Sequence, residues 1–284
     1  MLQVMMSLII MLCLFVSGYA FSGSNISDEN DFNLIEVDVV SLLNPLGFSL
    51  SARGFRRQVY KRDQSPLWDG LYYQAGAQLR ITPAFSRIGM QVEWMPIAIM
   101  QLRAEYDRLY FSGRFGSLLS FSSSDEPFDD DVLDDREGDE ISSYGTRSAA
   151  QLTLRAKFSD TIVRNVTAIA QYKFPGIGPF YLEREYELLM ATSDEILSNQ
   201  LFLLFENKSE QRSRYIGPYH DYVHVNKSDL IRERIGMTWL QQYIKPLAGL
   251  QNPRWYIQSG IYLQDPNRED EMYLLIGVGG DIEF

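Results

Sequence analysis

The sequence predicts an all-β protein, an antiparallel transmembrane β-barrel of about twelve strands (ten to twelve) with a cleaved N-terminal signal peptide. Three observations carry that expectation. Residues 1–20, MLQVMMSLIIMLCLFVSGYA, hold an apolar run from Val4 to Val16 broken only by Ser7, then the small-x-small triplet Gly18-Tyr19-Ala20. That is an export-signal pattern with cleavage before Phe21, although no Lys or Arg precedes the run. No second apolar stretch of about 18 residues follows, so no transmembrane helix is expected. Instead, apolar and polar residues alternate with period two over segments of about 10–14 residues. Soluble strands usually run to about five or six, whereas strands crossing a bilayer need about nine to eleven.

The elements follow in chain order. The weakest strand is 34–44 (LIEVDVVSLLN), which a plug or an N-terminal extension could equally explain, and 47–60 follows it. Segment 70–82 sets Leu71, Tyr73, Ala75, Ala77, Leu79 and Ile81 against Gln74, Gln78 and Arg80. In 85–95, Ile88, Met90, Val92 and Trp94 oppose Arg87, Gln91 and Glu93; in 98–112, Leu102, Ala104 and Tyr106 oppose Arg103, Glu105 and Asp107. Segment 145–158 sets Leu152, Leu154 and Phe158 against Arg155 and Lys157, and 161–174 follows. Segment 179–191 opposes Phe180, Leu182, Leu188 and Met190 to Glu183, Glu185 and Glu187; 196–207 is the next strand. Segment 229–244 sets Ile235, Met237 and Trp239 against Arg232 and Arg234, before 253–265 and 271–284.

The expected organisation is a signal peptide at 1–20, an N-terminal periplasmic segment at 21–33 and the barrel at 34–284. The barrel carries a long acidic extracellular loop at 113–144 and a second long loop at 208–228. The link 61–69 is long for a periplasmic turn.

Composition narrows the class. The chain has 284 residues and a formal net charge of −11, which argues against a nucleic-acid partner. Asp125–Glu140 (DEPFDDDVLDDREGDE) alone holds ten carboxylates and one Arg, so the remainder is near neutral. The 17 Tyr and 16 Phe suit a protein meeting a lipid interface. Trp68, Tyr72, Trp94, Tyr110, Tyr172, Trp239, Tyr243 and Trp255 fall near strand ends and read as interfacial girdles or as ordinary core packing. The single cysteine, Cys13, lies in the signal, so no disulfide or thiol site is expected.

The last strand, MYLLIGVGGDIEF, sets Leu274, Ile276, Val278, Gly280, Ile282 and Phe284 on one face and every charge on the other. With the signal peptide and the amphipathic strands over residues 47–284, it resembles the Gram-negative outer-membrane β-barrel proteins. In that class an alternating terminal strand ending in Phe is the signal read by the barrel-assembly machinery. Ile282 and Phe284 match it, and Gly280 is small for its place. The resemblance implies an outer-membrane location and partners in the bilayer and the assembly machinery, and it assigns no subfamily.

Candidate chemistry is sparse. Arg80, Arg103, Glu105, Asp107, Arg155, Lys157, Glu183, Glu185, Glu187, Arg232 and Arg234 would face a lumen. There they either line a pore or close it with salt bridges. His220 and His224, in GPYHDYVHVN, lack the helical spacing of a metal pair. A barrel-embedded lipid hydrolase would need His220 beside a serine such as Ser213 or Ser228. The acidic loop could hold divalent cations, but no EF-hand spacing is present, and a solvated, charge-repelled loop is the plainer reading. Asn25, Asn165, Asn207 and Asn226 begin glycosylation-like triplets, which a bacterial barrel makes chance matches. No cofactor and no enzymatic activity are expected. The role expected is a narrow, porin-like channel or a structural surface protein, with the lipid hydrolase and a soluble exported β-sandwich as alternatives.

Overall fold

The computed structural model describes residues 31–65, 67–175, 177–246 and 250–283. The expected signal peptide, most of the 21–33 segment and Phe284 lie outside the described residues.

Twelve strands close into one antiparallel barrel. They are β1 (Asp31–Leu43), β2 (Gly47–Lys61), β3 (Leu71–Ile81), β4 (Phe85–Ile97), β5 (Met100–Ser112), β7 (Ser142–Phe158), β8 (Thr161–Lys173), β11 (Ser193–Lys208), β12 (Arg212–Val225), β13 (Leu230–Tyr243), β14 (Gln251–Gln264) and β15 (Met272–Glu283). Each pairs with the next, and β1 closes the ring on β15 from Leu34↔Glu283 to Leu43↔Leu274. Closure leaves no free edge, so every strand can satisfy its backbone groups inside the sheet. Strand β1 begins and β15 ends at the same end of the barrel, the terminal end. The two longest connections, 113–141 and 174–192, lie at the opposite, loop end.

The period-two pattern sorts the two faces. Along β3 and β4 the outward residues Leu79, Ile81, Ile88, Met90 and Val92 are exposed, Met90 at 71% and Ile88 at 62%. Their inward neighbours Gln74, Gln78, Gln91 and Glu93 are buried. A face this apolar and this exposed is unfavourable in water and is the expected outside of a barrel in lipid. Among the described residues no helix is long and apolar enough to cross a membrane.

The strand count matches the expectation, but two segments exchange roles. Residues 179–191, read as a wall strand, form β9 (Phe180–Glu183) and β10 (Leu188–Ala191), a hairpin folded inside the barrel. The stretch read as a second long loop, 208–228, contains wall strand β12. Residues 34–44 belong to a wall strand that starts at Asp31, so the barrel begins inside the segment assigned to 21–33.

The acidic connection is ordered. It holds β6 (Ser120–Phe121), which pairs with β9, and one short helix, α1 (Asp130–Asp135). The Asp129 carboxylate caps that helix by accepting the Val132 N–H at 2.9 Å. Strands β6, β9 and β10 form a small sheet in the loop-end half of the lumen. Its Leu118, Leu119, Tyr181, Leu182, Leu188 and Met190 are fully buried. Leu118, Tyr181, Leu188 and Met190 pack with inward wall residues Phe85, Phe111, Tyr172 and Val225, and with Phe174 just beyond β8, whereas Leu119 and Leu182 pack with Phe121, Phe128 and Leu189 in a second cluster. A Cβ on wall residue Gly145 would come within 2.3 Å of the Phe174 ring, so glycine lets this internal core meet the wall.

Candidate functional site

The lumen is built from the inward face of the wall and the tip of the β9–β10 hairpin. At the tip, the Glu183 carboxylate accepts the N–H groups of Glu185 at 2.9 Å and Tyr186 at 2.8 Å, folding the turn over itself. Arg184 and Glu187 close it with an ion pair of 2.8 Å. Glu185 then reaches the wall. It pairs with Arg80 of β3 and with Arg87 of β4 at 3.0 Å, and accepts from the Tyr172 hydroxyl at 3.4 Å. On the far side Arg232 of β13 donates to the Tyr186 carbonyl at 2.8 Å. The tip therefore spans the lumen and is held from both sides.

These contacts set opposite charge preferences on neighbouring carboxylates. Burial and the adjacent Glu185 raise the Glu183 carboxyl well above the usual range. Burial would raise Glu185 as well, but the guanidiniums of Arg87, Arg80 and Arg147 outweigh it and hold it below the usual range.

Wall charges pair across strands because register sets them side by side. Asp107 lies opposite Arg147, and Asp221 lies opposite Arg234. Arg147 bridges Asp107 at 2.8 Å and Glu105 at 2.6 Å. Asp107 also accepts from Gln78 at 2.7 Å. Asp221 holds Arg234 at 2.6 Å and Arg232 at 3.3 Å. Arg103 reaches Glu93 at 2.7 Å, and Arg254 bridges Asp38 and Asp281 at 3.0 Å each.

All of the charges expected in the lumen lie on its inner side, by two routes. Arg80, Arg103, Glu105, Asp107, Arg232 and Arg234 are wall residues of this network, whereas Glu183, Glu185 and Glu187 enter on the hairpin. Arg155 and Lys157 lie nearer the terminal end, Arg155 donating to the Ala98 carbonyl at 3.0 Å and Lys157 pairing with Glu206. Sequence reasoning left out Arg53, Arg87, Arg147, Arg254, Asp38 and Asp221. The signal for most was there, as inward positions on recognised strands; Asp221 was hidden in the segment read as a loop.

Between the hairpin and the β1–β3 wall runs a cavity of about 840 Å³. Nine arginines line it (Arg53, Arg80, Arg87, Arg103, Arg147, Arg184, Arg232, Arg234 and Arg254) against five carboxylates (Asp38, Glu105, Glu185, Glu187 and Asp221). Directly behind this lining, Glu36, Glu93, Asp107 and Asp281 pair with Arg53, Arg103, Arg147 and Arg254, so the arginines are balanced by carboxylates one for one.

The remaining expectations fall elsewhere. His220 and His224 project outward from β12. His220 pairs with Glu233 at 2.6 Å and His224 with Asp229 at 3.0 Å. Ser213 faces inward, and Ser228 donates to the Leu189 carbonyl at 2.7 Å. Among the described residues no group of three or more His, Cys, Asp or Glu is placed to hold a metal ion. Within the acidic loop, Glu126 accepts backbone N–H groups of Ser122 and Ser123, and Glu140 those of Gly116 and Gly138. Of the girdle aromatics, Trp68, Trp94, Tyr110 and Trp239 are exposed, and Trp255 packs on Trp239 at 5.3 Å. Tyr72 and Tyr172 turn inward instead, Tyr72 to Glu93 at 2.6 Å and Tyr172 into the internal core.

No family model and no curated protein matches the chain. Solved structures with a similar fold include a loop-deletion mutant of OmpT, an outer membrane protein of Vibrio cholerae. It is 10% identical, with 89% of this chain and 98% of that one covered and a TM-score of 0.40. An outer membrane channel from Pseudomonas putida F1 is 11% identical, with 93% and 100% covered and a TM-score of 0.39. LpxR from Salmonella typhimurium is 7% identical, with 87% and 99% covered and a TM-score of 0.40. The architecture rests on this chain's own strand pairing.

Proposed function

We propose that this chain is a non-enzymatic outer-membrane β-barrel forming a narrow channel constricted by the β9–β10 hairpin. The observation that carries the reading is the cavity of about 840 Å³, lined by charged side chains, that runs past the hairpin. Charged side chains lining a confined bore can replace part of the hydration of a passing ion. The outward apolar face supports the bilayer location, and the alternating strand to Ile282 fits recognition by the barrel-assembly machinery. His220 is engaged by Glu233 and Ser228 by the Leu189 carbonyl, which favours this reading over a hydrolase built on His220.

The test is a planar-bilayer recording under a salt gradient. Small unitary steps are expected. A silent bilayer, with protein whose gel migration still shifts on boiling, would favour the second reading: a barrel closed by its packed internal core and serving as a surface structure.

A further inference from the structure

Two outward cations stand together on one wall. Arg108 of β5 and Lys173 of β8 are exposed, and neither side chain makes an ion pair or hydrogen bond among the described residues. Among the described residues no other Arg or Lys faces outward in the loop-end half of a wall strand. Register sets both on one row, Arg108↔Thr146↔Lys173, so two strand steps separate them by ~10 Å. The next outward row toward the terminal end is polar too, Tyr106↔Ser148↔Gln171, and Glu195 beside Gln171 bounds the patch on the β11 side. One outward position toward the loop end, the exposed rings of Tyr110 and Tyr144 lie 4.9 Å apart. Tyrosines gather at the depth of lipid head groups, which places the two cations at phosphate level.

Beneath this patch the outer surface is hollow. The following row, Ile169↔Ala150↔Ala104↔Val92↔Ala75, crosses β8, β7, β5, β4 and β3 and floors an apolar groove of about 690 Å³. The alanines leave the hollow, and Trp94, Leu102 and Leu152 wall its terminal-end side. Ile169 lies four residues from the loop end of β8, whereas Ala75 lies four residues from the terminal end of β3. The groove therefore starts beneath Lys173 and Gln171 and descends through the membrane. It runs ~19 Å across the sheet and drops ~12 Å, for strands ~4.8 Å apart and tilted ~40°. An acyl chain leaving a head group held above Ile169 would follow that path.

We propose that this wall is a binding site for one phosphate-bearing lipid, with its phosphate held between Arg108 and Lys173 and an acyl chain laid along the groove over Ala150, Ala104 and Ala75. Phosphate is the group that complements the patch. Both cations are free to take it, the guanidinium fork of Arg108 matches its oxygens, and the hydroxyls of Thr146 and Ser148 lie on the strand between them. The groove supplies the apolar half of the same ligand at the right depth. The inference rests on the membrane-barrel reading.

The experiment uses the full chain in a non-ionic detergent, with the mass of the folded complex read directly. Phosphatidic acid is titrated in parallel with diacylglycerol of the same acyl chains. Unboiled against boiled gel migration checks barrel closure in every sample. Wild type should retain one phosphatidic acid per chain and bind it ~tenfold or more above diacylglycerol. Arg108→Gln and Lys173→Gln should each keep the heat shift yet weaken retention ~tenfold. Ala104→Trp, which fills the groove and leaves both cations, should weaken it as well. Arg56→Gln removes an exposed cation that pairs with Asp31 elsewhere on the wall, and should leave retention at the wild-type level. A heat-shifting wild type that holds the two lipids equally overturns the proposal. So do cation variants that bind as wild type does, inorganic phosphate that displaces the lipid at equal concentration, or a second copy of the chain covering this face. A wild type with no heat shift overturns the membrane-barrel reading together with the site built on it.

Discussion

Arg87 and Glu185 are 98 positions apart in the chain and 3.0 Å apart in space, one on the barrel wall and the other at the tip of the internal hairpin. This pair, reinforced by Arg80 on Glu185 and Arg232 on the Tyr186 carbonyl, holds the constriction in place. Removing one partner of a largely buried pair leaves the other uncompensated, at about 3–5 kcal/mol. Glu185→Gln should therefore loosen the hairpin, raise mean conductance and increase current noise, while the heat-dependent gel shift persists. A single-channel trace identical to wild type would show that the hairpin is held elsewhere.

The hairpin should respond to pH with two opposite slopes. Glu183 has a raised carboxyl in the folded tip, so its stabilisation is full below the ordinary glutamate range and fades as pH rises through the folded value. Glu185 has a lowered one, so its stabilisation is present above the ordinary range and is lost as pH falls through its folded value. Conductance recorded against pH should rise at both extremes. Glu183→Gln should flatten the alkaline rise and leave the acid one.

Arg254 sits between Asp38 and Asp281 and balances both. Arg254→Gln removes one positive charge from the cavity and unmasks two carboxylates. The anion-to-cation permeability ratio should fall several-fold, read as a displaced reversal potential. An unchanged reversal potential would place the selectivity-setting section of the bore away from β14.

Outward and inward positions of the closing strand should tolerate charge unequally. Val278 faces outward at 42% exposure, whereas Leu275 lines the lumen cavity. Val278→Arg near mid-strand should destabilise the barrel in lipid by about 2–4 kcal/mol. Leu275→Arg should cost far less, because its side chain reaches the aqueous lumen. Denaturant titrations in liposomes would show the difference as a shift in midpoint.

Much of the wall was legible because a membrane barrel imposes one chemistry on each face. Strand β3 alternates Leu79 and Ile81 with Gln78 and Arg80, and the reading follows directly. The two exchanged segments show where that rule fails. Residues 180–190 alternate as a wall strand would, since Leu182 and Leu188 are apolar for a core and the three glutamates serve a turn. Alternation does not reveal whether a strand is buried in lipid or in protein. Strand β12 escaped notice for the opposite reason. In its loop-end half the outward positions are His220, Tyr222 and His224, so only Ile216 and Pro218 remain of the apolar face that marks its neighbours. The lumen network was half legible: inward charges could be named from period two, but their pairing depends on register between strands distant in sequence.

The separation of charge along the axis has one more consequence. The acidic residues of 125–140 crown the loop end, and the bore beneath them is lined by paired charges. A fixed charge zone at one mouth of a near-neutral bore makes the pore an asymmetric conductor, a leaky ionic rectifier. Mobile ions accumulate at the charged mouth under one polarity and are depleted there under the other. The current–voltage curve should bend accordingly, and straighten in concentrated salt as the Debye length shrinks to ~3 Å.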